Sequence, residues 1–163
     1  VILAADVTET EWSGEYLCSD YCRYHGYHTP TKGSTFVYAV IGNCPQCVPS
    51  VNQKVSPNGD VLADGMANQL VLSIATTAVD PYLSSWVDPT TRAERYTCVM
   101  KSNNFTSTGA SYNVLLKGKR YFVYGMNMAD RTDCQLYPKY STPVPYQGGP
   151  ILSNPTVHCI III

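Results

Sequence analysis

Cysteine and histidine residues offer the clearest opportunity for metal chemistry in this sequence. Thiolate and imidazole groups a few positions apart can hold zinc. The competing interpretation is that the cysteines form disulfides and the histidines lie in a loop. Seven cysteines among 163 residues are typical of an oxidising compartment, so the sequence favours disulfides and predicts no bound metal. The residues concerned are Cys18, Cys22, His25, His28, Cys44 and Cys47.

Six of the seven cysteines are predicted to pair within the chain. Three bridges are expected, and the sequence does not choose among the 15 ways of pairing six cysteines. The seventh, Cys159, is left to form a bond between copies of the chain. The six are Cys18, Cys22, Cys44, Cys47, Cys98 and Cys134.

Asp60 and Asp64 are the acidic residues whose spacing comes nearest to a catalytic pair. Glycoside hydrolysis requires two carboxyl groups that face each other across a substrate, whereas these lie one turn apart on one predicted helix. We interpret them as a cap and a first-turn residue, because both suit the positive end of a helix dipole. No Gly-x-Ser-x-Gly motif places a nucleophile. We expect a protein that is not an enzyme, with no catalytic residue and no cofactor.

An unusually apolar helix is predicted from about Asp60 to Val79. Ser56 offers an earlier N-cap and Asp60 a later one, and Asp80-Pro81 ends the helix. Two adjacent rows of the helix are apolar, which predicts that most of its sides are buried. The rows are Leu62, Met66, Leu70, Ile74 and Ala78, and Ala63, Ala67, Val71, Ala75 and Val79.

This helix also resembles a degenerate zinc-peptidase helix, in which His-Glu-x-x-His or His-Glu-x-x-Glu precedes a Thr-Asp-Pro stop. The ligand and base positions fall on Leu72, Ser73 and Thr76. None of these side chains can bind zinc or accept a proton as that mechanism requires. The resemblance implies a mixed sheet beside a helix without catalytic groups.

Strand patterns surround the helix in the sequence. Val1 to Val7, Phe36 to Ile41 and Arg95 to Met100 predict strands, and Lys117-Gly118-Lys119 predicts the turn of a hairpin. Residues from Glu9 to Pro30 are interpreted as a disulfide-pinned loop. The expected fold class is α+β, with a mixed β-sheet packed on one long buried helix (degenerate zincin-like), a C-terminal β-hairpin, disulfide-stabilised loops and an extended tail.

The composition indicates an extracellular domain. The chain of 17.9 kDa has a formal net charge of -1, which does not favour nucleic acid or anionic membranes as partners. The first residues lack the basic region of a signal peptide, so we expect none in this sequence, and no stretch reaches the roughly 20 apolar residues of a membrane span. We expect a mature or internal fragment of a secreted protein. Asn104-Phe105-Thr106 predicts an N-linked glycan in a polar loop.

A Pro- and Gly-rich tail is predicted at 137–163, after a domain at 1–136. Its apolar end promotes association if it is left in water. It either folds back on its own sheet or adds a strand to another copy, which would build a filament. An artificial origin of the final isoleucines is a third alternative. The predicted self-association residues are Ile151, Leu152, Val157, Ile160, Ile161, Ile162 and Ile163.

Tyrosines in the first loop suggest another function. Tyr16, Tyr21, Tyr24 and Tyr27 could form a platform for stacking on sugars, although a partly buried aromatic loop is the simpler interpretation. A sugar platform would indicate a soluble extracellular carbohydrate-binding or growth-signalling module instead of a structural protein.

Several blocks of residues, in this order, resemble a known family. They extend from residue 1 to about residue 136, and together they are fairly specific. The blocks are the opening strand with Asp6, Cys18-x3-Cys22-x2-His25-Gly26, Gly42-Asn43 before Cys44 and Cys47, Pro57-Asn58-x-Asp60-Val61-x2-Asp64-Gly65-Met66, Asp80-Pro81, Cys98, Gly109-Ala110-Ser111-Tyr112-Asn113, Lys119-Arg120-Tyr121 and Cys134. The family that they resemble is the plant exordium or phosphate-induced cell-wall protein family.

The resemblance implies secretion, a cell-wall or extracellular location, and a role in growth or wall organisation without a defined reaction. It also implies that relatives have a longer N-terminal half and end shortly after the position of Cys134. The expected function is therefore a non-catalytic, secreted structural glycoprotein of the cell wall or cell surface. Its expected partners are other copies of itself, in a homopolymer or filament, and glycans that are attached or bound.

Overall fold

A computed structural model of the chain describes residues 1–5, 7–11, 13–47, 55–84, 97–98, 104–123, 125–126, 150, 156–158 and 160–162. One α-helix, α1, spans Val61–Val79, and a short 3-10 helix spans Pro45–Cys47. The strands are β1 (Ile2–Leu3), β2 (Arg23–His28), β3 (Phe36–Gly42), β4 (Thr97–Cys98), β5 (Asn104–Phe105), β6 (Ser111–Tyr112), β7 (Val114–Leu116), β8 (Lys119–Tyr121), β9 (Gly125–Met126) and β10 (Ile161–Ile162).

Four strands form the main sheet, in the order β10-β1-β3-β2. β1 is parallel to both β10 and β3, whereas β2 and β3 are antiparallel, so the sheet is mixed as predicted. The N-terminal amine of Val1 donates to the carbonyl of Ala39, 2.6 Å away, and fixes the start of β1 beside β3. Helix α1 packs against β2 and β3. The α+β class is therefore confirmed.

Two disulfides tie the segment before β2 to the segment after β3. Cys18 pairs with Cys44 and Cys22 with Cys47, at Cα separations of 5.0 and 5.6 Å. Leu3, Leu17 and Val40 pack against these bridges in a small core. A Cβ atom on Gly42 would lie only 2.6 Å from Cys44 Sγ, so the close approach of the bridge requires glycine there.

The segment between Glu9 and Pro30 is not the loop that its composition suggests, because it contains strand β2. Every residue of β2 has a partner in β3, from Arg23 opposite Ile41 to His28 opposite Phe36. Tyrosine has a high propensity for β-strands, and the backbone of β3 supplies the hydrogen-bond partners of the β2 backbone. The predicted strand at Val1 to Val7 is shorter than expected, since only Ile2 and Leu3 pair.

Helix α1 begins and ends close to where the sequence predicts. Asp60 is the N-cap, and its Oδ1 accepts from the backbone amides of Leu62 and Ala63, each 3.0 Å away. Asp80 is the C-cap, and buried Pro81 follows it. The capping residue and the proline stop thus fix the length of the helix.

The orientation of α1 differs from the prediction, since none of the residues in its two apolar rows is fully buried. Val71 and Ile74 are 44% and 39% exposed. The buried positions are mostly polar, and several have hydrogen-bond partners: Thr76 accepts from Arg23 of β2, and Gln69 donates to the carbonyl of Cys47. The buried residues of the helix are Asp64, Gly65, Asn68, Gln69, Leu72, Ser73 and Thr76.

The described residues that follow α1 in the chain form three two-stranded sheets: β4 with β9, β5 with β6, and β7 with β8. Lys117 and Gly118, both with positive φ, form the turn between β7 and β8, which confirms the predicted hairpin. Asn104 lies in strand β5 and not in the predicted loop, and it is exposed. Most of the predicted 137–163 tail lies outside the described residues, so the proposed division at residue 136 stays a prediction.

Candidate functional site

The loop before α1 places a buried carboxylate among neutral donors. Ser56 Oγ donates to Asp64 Oδ2 at 2.5 Å, and Asn58 Nδ2 donates to Asp64 Oδ1 at 2.6 Å. Ser56 Oγ also accepts from the backbone amides of Asn58 and Gly59. The Ser-Pro-Asn-Gly turn therefore holds Asp64 instead of capping the helix, while the capping role falls to Asp60.

Two asparagine side chains form hydrogen bonds with the backbone in strand β8 and just after it. Asn58 bonds to the backbone N–H and C=O of Arg120, and Asn113 bonds to the backbone N–H and C=O of Val123. An asparagine amide matches a peptide group because it offers one donor side and one acceptor side. Neither role was predicted from the sequence, although Asn58 and Asn113 both lie in the residue blocks that carry the family resemblance.

A layer of polar contacts joins α1 to the main sheet. His25 Nε2 lies 2.8 Å from the carbonyl oxygen of Asp80, which can only accept, so Nε2 carries the proton. Arg23 donates to Thr76 Oγ1 at 3.3 Å. Gln69 donates to the carbonyl of Cys47 at 3.4 Å, beside the Cys22–Cys47 bridge. These contacts attach the helix to the strand and to the disulfide.

The three positions that correspond to zinc-peptidase ligands lie on this buried face. Leu72, Ser73 and Thr76 are 3%, 1% and 0% exposed. Thr76 accepts from Arg23 and donates to the carbonyl of Ser73. The zincin-like part of the fold prediction is not confirmed.

The proposed zinc ligands are separated in the structure. Four of the thiols lie in the two disulfides, and His25 and His28 are three residues apart on one strand, so they point to opposite faces of the sheet. Within the described ranges, no group of three His, Cys, Asp or Glu residues is arranged to hold a metal ion. Cys98 lies in β4, while Cys134 and Cys159 lie outside the described residues, so their bonds stay predictions.

Glu9 binds two tyrosine hydroxyls on the outer side of the sheet, away from α1. Tyr21 donates to Oε2 of Glu9, and Tyr24 donates to Oε1 at 3.1 Å. Burial raises the pKa of both phenols above the ordinary value, and the hydrogen bonds to Glu9 and its negative charge raise them further. Both phenols therefore stay protonated donors well into the alkaline range.

The four tyrosines of the predicted sugar platform do not share one surface. Tyr24 and Tyr27 lie three residues apart on β2 and therefore face opposite sides of the sheet. Tyr21 and Tyr24 are half-buried and bonded to Glu9. Tyr27 contacts Tyr82, at the C-terminal end of α1, with ring centroids 5.1 Å apart. The four tyrosines therefore do not form one platform, because side chains alternate along β2 and place Tyr24 and Tyr27 on opposite faces.

The C-terminal strand pairs with the chain's own first strand. Ile161 lies opposite Ile2 and Ile162 opposite Leu3, in parallel register. Ile160 and Val157 are 59% and 57% exposed. This pairing is the fold-back alternative of the sequence analysis. The other predicted self-association residues, Ile151, Leu152 and Ile163, lie outside the described part of the chain.

Comparison with known proteins assigns the family. Residues 1–105 match the family described as the phosphate-induced protein 1 conserved region. The chain belongs to this family. Two Arabidopsis thaliana relatives are similar to it, Protein EXORDIUM-like 3 at 28% identity and Protein EXORDIUM-like 1 at 30% identity. The first alignment covers 66% of this chain and 41% of the relative, and the second covers 76% and 48%.

The chain spans less than half the length of these two curated relatives. No solved structure matches it. Membership of the phosphate-induced protein 1 family, together with the two disulfides, indicates an extracellular or secreted plant protein. None of the helices in the described ranges is long and apolar enough to cross a bilayer.

Proposed function

We propose that this chain is a non-catalytic structural glycoprotein of the plant cell wall or extracellular surface that self-associates through its C-terminal strand. The observation that carries the proposal is the position of β10, which is the outermost of the described strands in the main sheet. The carbonyl of Ile160 accepts from the amide of Ile2 at 2.8 Å. Because alternate residues of a parallel strand bond to the same neighbour, the N–H and C=O of Ile161 point away from β1.

An unpaired strand edge is a template for another strand. Addition of a neighbour's strand to Ile161 would be a head-to-tail contact, which propagates into a filament unless the rotation closes a ring. Exchange of β10 between copies would preserve the Ile2–Ile161 register while linking two chains. Strand exchange would reuse the β1–β10 bonds, whereas strand addition would form new bonds at the outward groups of Ile161. We propose strand addition, because it uses the edge that β10 presents.

Exposed apolar side chains support the same proposal. Val71 and Ile74 on α1, and Leu115 and Leu116 on β7, are all more than one third exposed. Burial of such side chains against neighbouring copies would be favourable by roughly 25 cal/mol for each Å² removed from water. Such burial would strengthen an assembly that the strand edge starts.

The structural roles of four carboxylates support the proposal that the protein is non-catalytic. Asp60 caps α1, Asp64 accepts from Ser56 and Asn58, and Glu9 accepts from two tyrosines. Asp20 accepts from the amide of Tyr16 at 2.8 Å. Each of these four carboxylates has a structural partner, which accounts for its presence without a reaction.

Ile161→Pro tests the strand-edge proposal. Proline removes the outward N–H of Ile161 and places its ring on the outer edge, while the Ile160–Ile2 bond remains. Val157→Pro is the control, because Val157 is exposed and lies outside β10. In sedimentation velocity, the average mass of the unmodified chain should rise with concentration, Ile161→Pro should stay at the monomer mass, and Val157→Pro should behave as the unmodified chain does.

Three further measurements complete the test. Negative-stain microscopy should show filaments of the unmodified chain. Cys159→Ser should convert assemblies that survive denaturant into assemblies that dissociate in it.

Secretion from plant cells should add a glycan to Asn104, and Asn104→Gln should remove it, which is seen as a loss of mass. A monomer mass at every concentration, or equal loss of assembly in Val157→Pro and Ile161→Pro, would overturn self-association through β10.

A further inference from the structure

The outer face of the β2–β3 pair carries a row of aromatic side chains. Residues directly opposite each other in an antiparallel pair share a face, so Tyr38 lies beside Gly26, and Phe36 lies beside His28. The alternate residues of β2, Arg23 and His25, contact α1 on the opposite face. The row therefore faces away from the helix.

The rings of this row contact one another in sequence. Centroids of Tyr38 and Phe36 are 6.3 Å apart, and those of Phe36 and His28 are 5.6 Å apart. Phe36 is 52% exposed and His28 is exposed, while Tyr38 is half-buried. We call Tyr38, Phe36 and His28 the aromatic strip. Tyr24, which lies 6.1 Å from Tyr38, continues the row into the part covered by Glu9.

Gly26 sets the position of Tyr38 within the strip. A Cβ atom on Gly26 would lie 3.2 Å from the hydroxyl oxygen of Tyr38 and 3.3 Å from its Cζ. The tyrosine ring therefore lies across β2 at the one residue without a side chain.

Neutral hydroxyl groups surround the open end of the strip. Thr29 and Thr35, at the two ends of the connection between β2 and β3, share a hydrogen bond of 2.9 Å and are exposed. Residues 23–36 contain no Asp or Glu, and Lys32 is the single lysine among them. This segment therefore offers few charged groups to a ligand, and the carboxylate of Glu9 at the other end of the row already accepts from two tyrosines.

We propose that the aromatic strip binds a neutral β-linked polysaccharide chain by stacking its sugar rings. Pyranose rings have apolar C–H faces and hydroxyl edges, which match aromatic faces bordered by threonine hydroxyls. The planes of neighbouring rings are tilted by 51° and 57°, so the strip fits a twisted single chain rather than a flat crystalline surface. The strip lies at the β2 edge of the sheet, opposite β10, so this binding does not depend on the proposed self-association.

Phe36→Ala and Phe105→Ala form a matched pair of variants for the test. Both residues are exposed phenylalanines, at 52% and 60%, but Phe105 lies in β5 and not in the strip. The probe is cellohexaose, a soluble neutral β-linked glucan, and binding is measured by calorimetry with the full chain. Phe36→Ala should weaken binding on the order of tenfold, Phe105→Ala should leave it unchanged, and both should keep the thermal unfolding temperature of the unmodified chain.

A second variant tests whether the position of Tyr38 matters for binding. Gly26→Ala should shift the Tyr38 ring and weaken binding, because the new Cβ would lie 3.2 Å from the Tyr38 hydroxyl oxygen, closer than such contacts ordinarily are. Absence of cellohexaose binding by the unmodified chain would overturn the proposal. So would equal binding by Phe36→Ala, or binding of anionic polygalacturonate in preference to cellohexaose.

Discussion

The side chain of Asn58 forms two hydrogen bonds with the backbone of Arg120, 62 positions further along the chain. Its Nδ2 donates to the Arg120 carbonyl at 2.5 Å, and its Oδ1 accepts from the Arg120 amide at 3.1 Å. The same Nδ2 also donates to Asp64. One amide therefore connects the start of α1 to the β7–β8 hairpin.

Asn58→Ala should detach these two parts of the fold. Loss of the amide removes the Asn58 bond to Oδ1 of buried Asp64, which keeps its bond from Ser56, and both bonds to the Arg120 backbone, which we expect to lower the free energy of unfolding by about 2 kcal/mol. Gln46→Ala is the control, because Gln46 is an exposed amide. Urea unfolding should show the loss only in Asn58→Ala, and hydrogen exchange at the Arg120 amide should accelerate. Equal stability of the two variants would show that the connection contributes nothing.

Asp60→Ala and Asp60→Asn should separate the capping role from charge. Asparagine can accept from the same two backbone amides, whereas alanine cannot. We expect alanine to lower the free energy of unfolding by about 1 kcal/mol and asparagine by only about a few tenths. Thermal unfolding followed by circular dichroism measures both. Equal losses would mean that Asp60 acts through its charge rather than as a cap.

Local signals in the sequence predicted α1 and the hairpin well. Asp60, Pro81 and the Lys117-Gly118 turn act on their immediate neighbours, so their effects can be inferred without knowledge of the rest of the fold. The mixed sheet and its packing against the helix were also predicted.

The orientation of α1 could not be inferred in this way. Apolar rows indicate the buried face only if the opposing surface is also apolar, and here Arg23 and His25 of β2 require polar partners. Strand β2 itself was missed because it lacks apolar alternation. A usable signal was present in the Thr29-Pro30-Thr31-Lys32-Gly33 cluster, which separates a tyrosine-rich run from the apolar run at Phe36 and is typical of a hairpin connection.

The disulfide pairing predicts which double variants fold. Removal of a matched pair, Cys22→Ala with Cys47→Ala, should leave the Cys18–Cys44 bridge intact and lower the free energy of unfolding by about 3 kcal/mol. Removal of a mismatched pair, Cys22→Ala with Cys44→Ala, leaves two thiols without their partners.

Titration of free thiols under denaturing conditions distinguishes the two cases. The matched variant should have the same number of free thiols as the unmodified chain, and the mismatched variant should have more or fail to be secreted. The reverse result would assign the bridges differently.

Tyr21 and Tyr24 should make the fold sensitive to alkaline pH. Burial and Glu9 raise the pKa of both phenols in the folded state, whereas in the unfolded chain they ionise near the ordinary value of about 10. Below that pH both states are protonated, and the stabilisation is fully present. Above it the unfolded state loses protons that the folded state keeps, so the free energy of unfolding falls as pH rises.

Glu9→Gln should weaken this dependence, because glutamine can still accept a hydrogen bond but carries no charge to oppose phenolate formation. Glu15→Gln is the control, since Glu15 is an exposed carboxylate bonded weakly to Ser13. Urea unfolding between about pH 9 and about pH 11, with tyrosinate absorbance as a second readout, should show a shallower decline only in Glu9→Gln. If the two variants decline in parallel, Glu9 does not control the ionisation of these tyrosines, and burial alone explains their raised pKa.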